Sequence, residues 1–213
     1  RSNRKVRRSA MSAKSSPYTT FTPQALCGAH HGERALRDAM GHFATGVTVV
    51  TALDPNGDFM GMTVNSFSSV SLDPPLILWS IGKGNFGYES YQHAERFCVN
   101  VLASDQGDLA LRFARAEKDK FQDIAVRSGL GGVPMIENCL AYFECTRETI
   151  YPGGDHVILI GRVERFERSS RKPLIFYTGR FFDLPGRAEG TLAKSESLRS
   201  ADATDTVGVT GKR

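Results

Sequence analysis

Two strand-like runs, residues 140–150 and 156–166, are separated only by Tyr151-Pro152-Gly153-Gly154-Asp155. Such a link is too short to hold a crossover helix, so the two runs must return on each other as antiparallel neighbours. The same economy recurs upstream. Residues 47–53 are β-branched, Asp54-Pro55-Asn56-Gly57-Asp58 is turn chemistry, and a hairpin follows into residues 59–65. Residues 66–72 stay extended until Asp73-Pro74-Pro75, where proline lacks a donor and restricts its predecessor. Further strands are predicted at 76–81, 97–102 and 174–177. Helices are predicted at 33–44, with Leu36, Met40 and Phe43 at helical spacing, and over roughly 88–95. A third helix runs from a Ser104 cap to about Ala116, with Leu109, Leu111 and Phe113 on its apolar side. Residues 117–138 are mixed, with a glycine-rich turn at Gly129, Gly131 and Gly132. Strands that follow one another without helices favour an antiparallel barrel with helical insertions over a doubly wound sheet.

Charge is unevenly placed. Residues 1–20 carry six basic side chains (Arg1, Arg4, Lys5, Arg7, Arg8, Lys14) and no acid, whereas residues 21–185 carry 16 basic and 19 acidic groups. The basic balance therefore belongs to an extension, and the body lacks the clustered Lys/Arg of a nucleic-acid surface. Residues 1–21 read as a disordered basic extension, 22–185 as the folded domain and 186–213 as a flexible tail. The extension has no apolar h-region, so no secretory signal is expected, and Met11 is a candidate start. The longest apolar candidate, 74–81, is strand-sized, far short of the roughly 18–20 residues of a membrane span. Cys27, Cys98, Cys139 and Cys145 form no CxxC pair and have no His at ligand spacing, as expected of reduced thiols in a cytoplasmic protein.

Four segments could carry chemistry. Gly82-Lys83-Gly84-Asn85-Phe86-Gly87 matches G-x-G-x-x-G between a strand and a helix, but that helix is too short for a crossover and no second βαβ unit follows. A glycine-rich turn there could still contact phosphate. Residues 63–71 place five hydroxyls and one amide in nine positions, suited to a flat polar heterocycle or to water on a half-exposed strand. In Gly153-Gly154-Asp155-His156 the aspartate could fix the tautomer of the imidazole, with glycines leaving room for a ligand. Arg112-Phe113 sets a guanidinium beside an aromatic near a helix end, suited to phosphate or to a solvated face over a core ring. No G-x-S-x-G, Walker A lysine, HExxH or glycosidase carboxylate pair is present, and no metal site is expected.

In order, Phe43 through Thr51, Gly61 through Leu76, Arg96 through Leu102, Gly154-Asp155-His156 and Pro173 through Tyr177 resemble the flavin reductase family. These are short split-barrel proteins that supply reduced flavin to two-component monooxygenases. The resemblance covers residues 36–184. It implies a mainly β fold, a six-stranded antiparallel Greek-key FMN-binding split barrel with a few helices, paired as a homodimer. It further implies that Phe59, Met60, Gly61, Met62, Thr63, Asn65 and Ser66 line the flavin ring and ribityl chain. Ser80, Ile81, Gly82, Phe86 and Gly87 would approach the ribityl phosphate, and Arg112 and Phe113 its far end. His156 would sit at the nicotinamide side as the catalytic residue, with Phe176, Tyr177, Thr178 and Gly179 positioning the nicotinamide nucleotide. The implied activity is hydride transfer from NADH, or NADPH given Arg180 nearby, to FMN or FAD, with a transient oxygenase partner. Such chemistry needs two stacked rings and excluded water but no protein nucleophile, which the residue types above permit. A flavin-binding electron carrier on the same barrel is the alternative; it would not need Gly154-Asp155-His156 or Phe176-Tyr177. A split-barrel oxidase of a phosphorylated vitamer would need a cluster of basic side chains that is lacking.

Overall fold

The computed structural model describes residues 31–117 and 119–184. The expected basic extension (1–21) and the expected tail (186–213) lie outside these residues, as does Cys27. One unit of the described chain is helix α1 (His31–Met40). It ends before Phe43, which belongs to the second unit and is 77% exposed, so the expected helix over 33–44 is shorter than its apolar spacing implied.

The second unit, from Gly41 onward, holds the strands. In order these are β1 (Thr45–Gly46), β2 (Thr48–Leu53), β3 (Phe59–Val64), β4 (Ser68–Leu72), β5 (Pro75–Gly82) and β6 (Arg96–Val101). They continue as β7 (Val126–Ser128), β8 (Pro134–Ile136), β9 (Ala141–Gly153), β10 (His156–Arg168), β11 (Leu174–Tyr177) and β12 (Arg180–Asp183). Helix α2 (Tyr88–His93) joins β5 to β6, and α3 (Gly107–Ala114) follows β6. The main sheet runs β3-β2-β6-β9-β10-β5-β4, antiparallel at every pairing, so it has seven strands where the resemblance implies six. Its edges β3 and β4 do not pair with each other, and the barrel is split there. Ser66 bridges the opening just past β3: its Oγ accepts from the Ser80 amide at 2.9 Å and lies 3.2 Å from the Ser80 carbonyl.

The long hairpin is built as its short link dictates. Strands β9 and β10 pair from Gly153 opposite His156 back to Ala141 opposite Arg168, leaving only Gly154-Asp155 as the turn. Gly154 takes φ +71°, a conformation that costs a residue without Cβ little. The first hairpin closes on Asp54, whose Oδ1 accepts the amides of Asn56 at 2.8 Å and Asp58 at 2.9 Å.

Alternating residues of the central strands feed two cores. Val50, Ala52, Trp79, Ile81, Phe97 and Leu159 form one, while Val47, Val49, Leu102, Phe113, Met135 and Ile136 form the other. Strand β2 is thus buried on both faces, which is why it reads as continuously β-branched. Asn100 is the polar pin between layers: its amide donates to Val49 O at 2.9 Å and its Oδ1 accepts the Ile136 amide at 2.9 Å.

Two expectations are corrected here. Helix α3 starts at Gly107 with Gln106 at its cap position, not Ser104, because the Ser104 amide bonds Lys172 O at 2.9 Å and holds that residue to the β11 approach. Within α3 the buried residues are Ala110 and Phe113, whereas Leu111 is 52% exposed.

Candidate active site

Strands β5 and β10 bring the two glycine-rich turns together. His156 is paired with Gly82, the Lys83 amide donates to Asp155 O at 2.9 Å, and Lys83 Nζ donates to Gly154 O at 2.7 Å. The turn after β5 and the turn before β10 therefore form one rigid rim. On it the His156 imidazole, about half exposed, has its Nδ1 2.8 Å from Asp155 Oδ1. An ionised carboxylate only accepts, so Nδ1 donates to Asp155 and Nε2 is left for another partner. The His156 hydrogen bond, followed by its charge, holds the Asp155 carboxyl below the usual carboxylate range.

Gly82 leaves a small gap on this rim. A Cβ built there would sit 3.5 Å from both Asn85 Nδ2 and His156 Nε2. Asn85 Nδ2 in turn approaches Met62 Sδ at 3.8 Å. Met62, Gly82, Asn85 and His156 thus converge from β3, β5, the following turn and β10, with backbone and not side chain at the centre.

Beside this rim lies an open cavity of about 990 Å³. Phe59, Met60 and Gly61 line one wall, and Phe86 and Gly87 are among the residues of the other. Gly87, at φ +84°, turns the chain into α2. The lining also includes Lys83, Lys120 and the carboxylates of Asp54, Asp58, Glu89, Glu117 and Asp119.

Several residues expected at the ligand are placed otherwise. Phe113 is wholly buried in the second core, under Gly61, and cannot reach a phosphate. The Ile81 side chain is 1% exposed and packs in the first core, so only its backbone faces the rim. The Thr63 hydroxyl donates to Ala110 O at 2.6 Å and ties β3 to α3. Asn65 is exposed just beyond β3, while Ser66 and Ser80 are bound to each other. Arg112 lines an adjoining cleft, which shares Glu117, Asp119 and Gln122 with this cavity, and donates to Gln122 O at 2.5 Å. Phe176, Tyr177, Thr178 and Gly179 lie on the three-stranded sheet β1-β11-β12, apart from the strands that carry His156. There Phe176 packs on Phe181 at 5.7 Å, Tyr177 on His42 at 6.0 Å, and Thr178 and Gly179, at φ +45° and +79°, make the β11–β12 turn.

Other residues enter that the sequence reading passed over. Asn85 lay inside the glycine motif but was outweighed there by the glycines. Lys120 and Phe121 lay in a stretch with no periodicity, yet Phe121 packs edge-on against both Phe59 at 5.5 Å and Phe113 at 5.0 Å.

The fold and rim define an antiparallel split-barrel protein with a cofactor-sized cleft beside an oriented histidine. Residues 40–185 match the flavin reductase like domain, and the chain belongs to that family. It is 46% identical over 148 residues to "FMN reductase (NADH) SmoA" of Agrobacterium fabrum, covering 70% of this chain and 84% of that protein. It is 47% identical over 165 residues to a "Probable flavin reductase" of Rhizobium meliloti, covering 76% of this chain. This chain spans only 53% of that relative's length. The solved NADH:FAD oxidoreductase SgcE6 of Streptomyces globisporus, in complex with NAD and FAD fragments, superposes with a TM-score of 0.70 at 37% identity. That match covers 74% of this chain and 95% of the other. No described helix is long and apolar enough to cross a membrane.

Proposed function

We propose that the chain is an NAD(P)H:flavin oxidoreductase that passes a hydride from NADH to FMN or FAD and supplies the reduced flavin to a partner monooxygenase. The observation that carries this reading is the convergence of Met62, Gly82, Asn85 and His156. Bare backbone at Gly82 lies between a thioether, an amide and an imidazole, and Asn85 of this group also lines the 990 Å³ cavity, which has room for a flat heterocycle. The relatives named for the same reaction support it.

The residues fit a flavin. Met62, the backbone of Ser80 to Gly82 and Asn85 would hold the ring, and Phe59 to Gly61 with Phe86 and Gly87 the chain beyond it. Bound flavin would supply the hydride acceptor, and the residues named here would bind and orient it. Asp155 holds the imidazole of His156, which orients the nicotinamide or offsets charge developing beside it. The paired turns at Lys83 keep Gly82 and His156 in register and so fix the distance across the gap.

The reading extends to a cytoplasmic homodimer with a transient oxygenase partner. Exposed Phe43, Tyr177 and Phe182 support a second copy covering that face. The three free, buried thiols among the described residues suit a reducing compartment.

The test follows absorbance at the nicotinamide band with NADH or NADPH, with and without FMN or FAD. Catalytic NADH loss that depends on added flavin is expected. No turnover with either nicotinamide cofactor would replace this reading with that of an electron carrier. In His156→Ala, hydride transfer should slow or the NADH KM rise by about tenfold; values within about twofold of wild type would remove His156 from the site.

A further inference from the structure

Lys120 follows α3 and is 7% exposed, yet it carries an amine. Its Nζ donates to Gly61 O and Phe113 O, each at 3.1 Å. Both partners are neutral carbonyls. Among the described residues no carboxylate lies within ion-pair distance of this ammonium, although Glu117 acts on it from farther off. Burial holds the amine below the usual lysine range. A buried charge is ordinarily completed by an opposite charge or a full set of hydrogen bonds. An ammonium has three donors and these carbonyls take two. The open space that Lys120 adjoins is the cavity lined by Phe59, Met60, Gly61 and Phe121.

The amine is also held in place. Phe121 is wedged between the rings of Phe59 and Phe113 and anchors the chain beside Lys120, while the two carbonyls hold Nζ itself. The other charged groups of that cavity are five carboxylates and Lys83, whose Nζ is already on Gly154 O. Among the described residues a ligand oxygen entering it meets two ammonium groups, Lys83 on the exposed rim and Lys120, buried and held by two carbonyls.

We propose that Lys120 is a ligand-binding residue whose ammonium takes an oxygen acceptor of the flavin, on its phosphate ester or on its pyrimidine carbonyls. This rests on the flavin reading above. The test titrates FMN and riboflavin, which lacks the phosphate, into the full chain and into Lys120→Met, with heat of binding as readout. FMN affinity should fall by about 10- to 100-fold in the variant. Riboflavin weakened by the same factor assigns the contact to the ring, and riboflavin unchanged assigns it to the phosphate; either supports the proposal. A variant that binds both ligands within about twofold of wild type overturns it. Wild type that binds neither ligand overturns the flavin reading itself. Should Lys120→Met not fold, wild-type protein with nitrogen-15 lysine answers the same question. The Lys120 Nζ resonance should move on saturation with FMN, and a resonance that stays in place overturns the proposal.

Discussion

A Cβ placed on Gly61 would fall 2.5 Å from Cε1 of Phe113, inside the radius of any real contact. The β3 backbone and the α3 ring are therefore packed face to face, and the Thr63 hydroxyl on Ala110 O fastens the same pair of elements. Phe113 is fully buried and has no flexible end to yield. Gly61→Ala should cost about 1–3 kcal/mol by overpacking, read as a lower urea midpoint with unchanged slope. Gly84→Ala is the control, since a Cβ there meets nothing within 4 Å; it should stay within about 0.5 kcal/mol of wild type. Equal stabilities for the two variants would contradict the packing argument.

That contact also marks how far sequence reasoning reached. Helical spacing put Phe113 on the apolar side of its helix, where the structure has it, and its placement at a phosphate came from the resemblance alone. The bare Gly61 it packs under lies 52 positions upstream, and no local pattern records that partner. Lys120 was invisible for the same reason, because one of its acceptors is 59 residues away. The hairpins were legible because their chemistry is local, as in the Asp54 carboxylate over the Asn56 and Asp58 amides. The turn at Gly153 to His156 was legible on the same grounds. Strands β7 and β8, three residues each, are too short for a period to show, and they exist through mutual pairing. The α3 cap was misplaced because a distant carbonyl, Lys172 O, captured the Ser104 amide.

The Asp155–His156 pair makes a statement about pH. A carboxyl whose folded pKa is depressed contributes stability above its unfolded value, about 3.9, and loses it as pH falls through the folded value. Asp155 is such a group, with its hydrogen bond from His156 as the first cause. Its side chain is 93% exposed, so salt should weaken the effect. In a carbon-13 titration the Asp155 carboxylate should show a midpoint below the ordinary value and return toward it in His156→Ala. An identical midpoint in both proteins would mean that the pair does not form in solution. Because Asp155 stays ionised throughout the neutral range, the Nδ1 proton keeps its partner there, and loss of this contact cannot shape the activity profile near neutrality.

Burial governs the thiols. Cys98 is pushed far up, Cys139 to about 11 and Cys145 to about 12, in each case chiefly because desolvation penalises the thiolate. The thiolate is the reactive species, so native protein at mildly alkaline pH should leave all three unalkylated by iodoacetamide. Peptide mass spectrometry should find them labelled only after denaturant is added. Modification of any of the three in the native state would show that its strand opens readily.

Glu144 on β9 is a buried carboxylate at 4% exposure, and it organises the turn before β8. Its Oε2 accepts the Leu130 amide at 2.5 Å and Arg165 Nη2 at 3.2 Å, while Oε1 lies 3.2 Å from Arg165 Nε. Gly129 is closed down on this group, since a Cβ there would lie 2.7 Å from Oε2 and 2.8 Å from Met135 Sδ. Glu144→Leu strands both the Leu130 amide and the guanidinium, and should cost about 2–4 kcal/mol. Arg165→Ala should cost less, because the Arg165 side chain is 58% exposed and water can replace part of its contact. Glu144→Gln keeps an acceptor for the Leu130 amide but gives up the charge, and should fall between the two. Urea denaturation of the three variants fixes the order, and hydrogen exchange at Leu130 supplies the local readout, since its protection should survive Arg165→Ala and vanish in Glu144→Leu. If Arg165→Ala proved the more damaging change, the ion pair and not the amide contact would be what holds the turn.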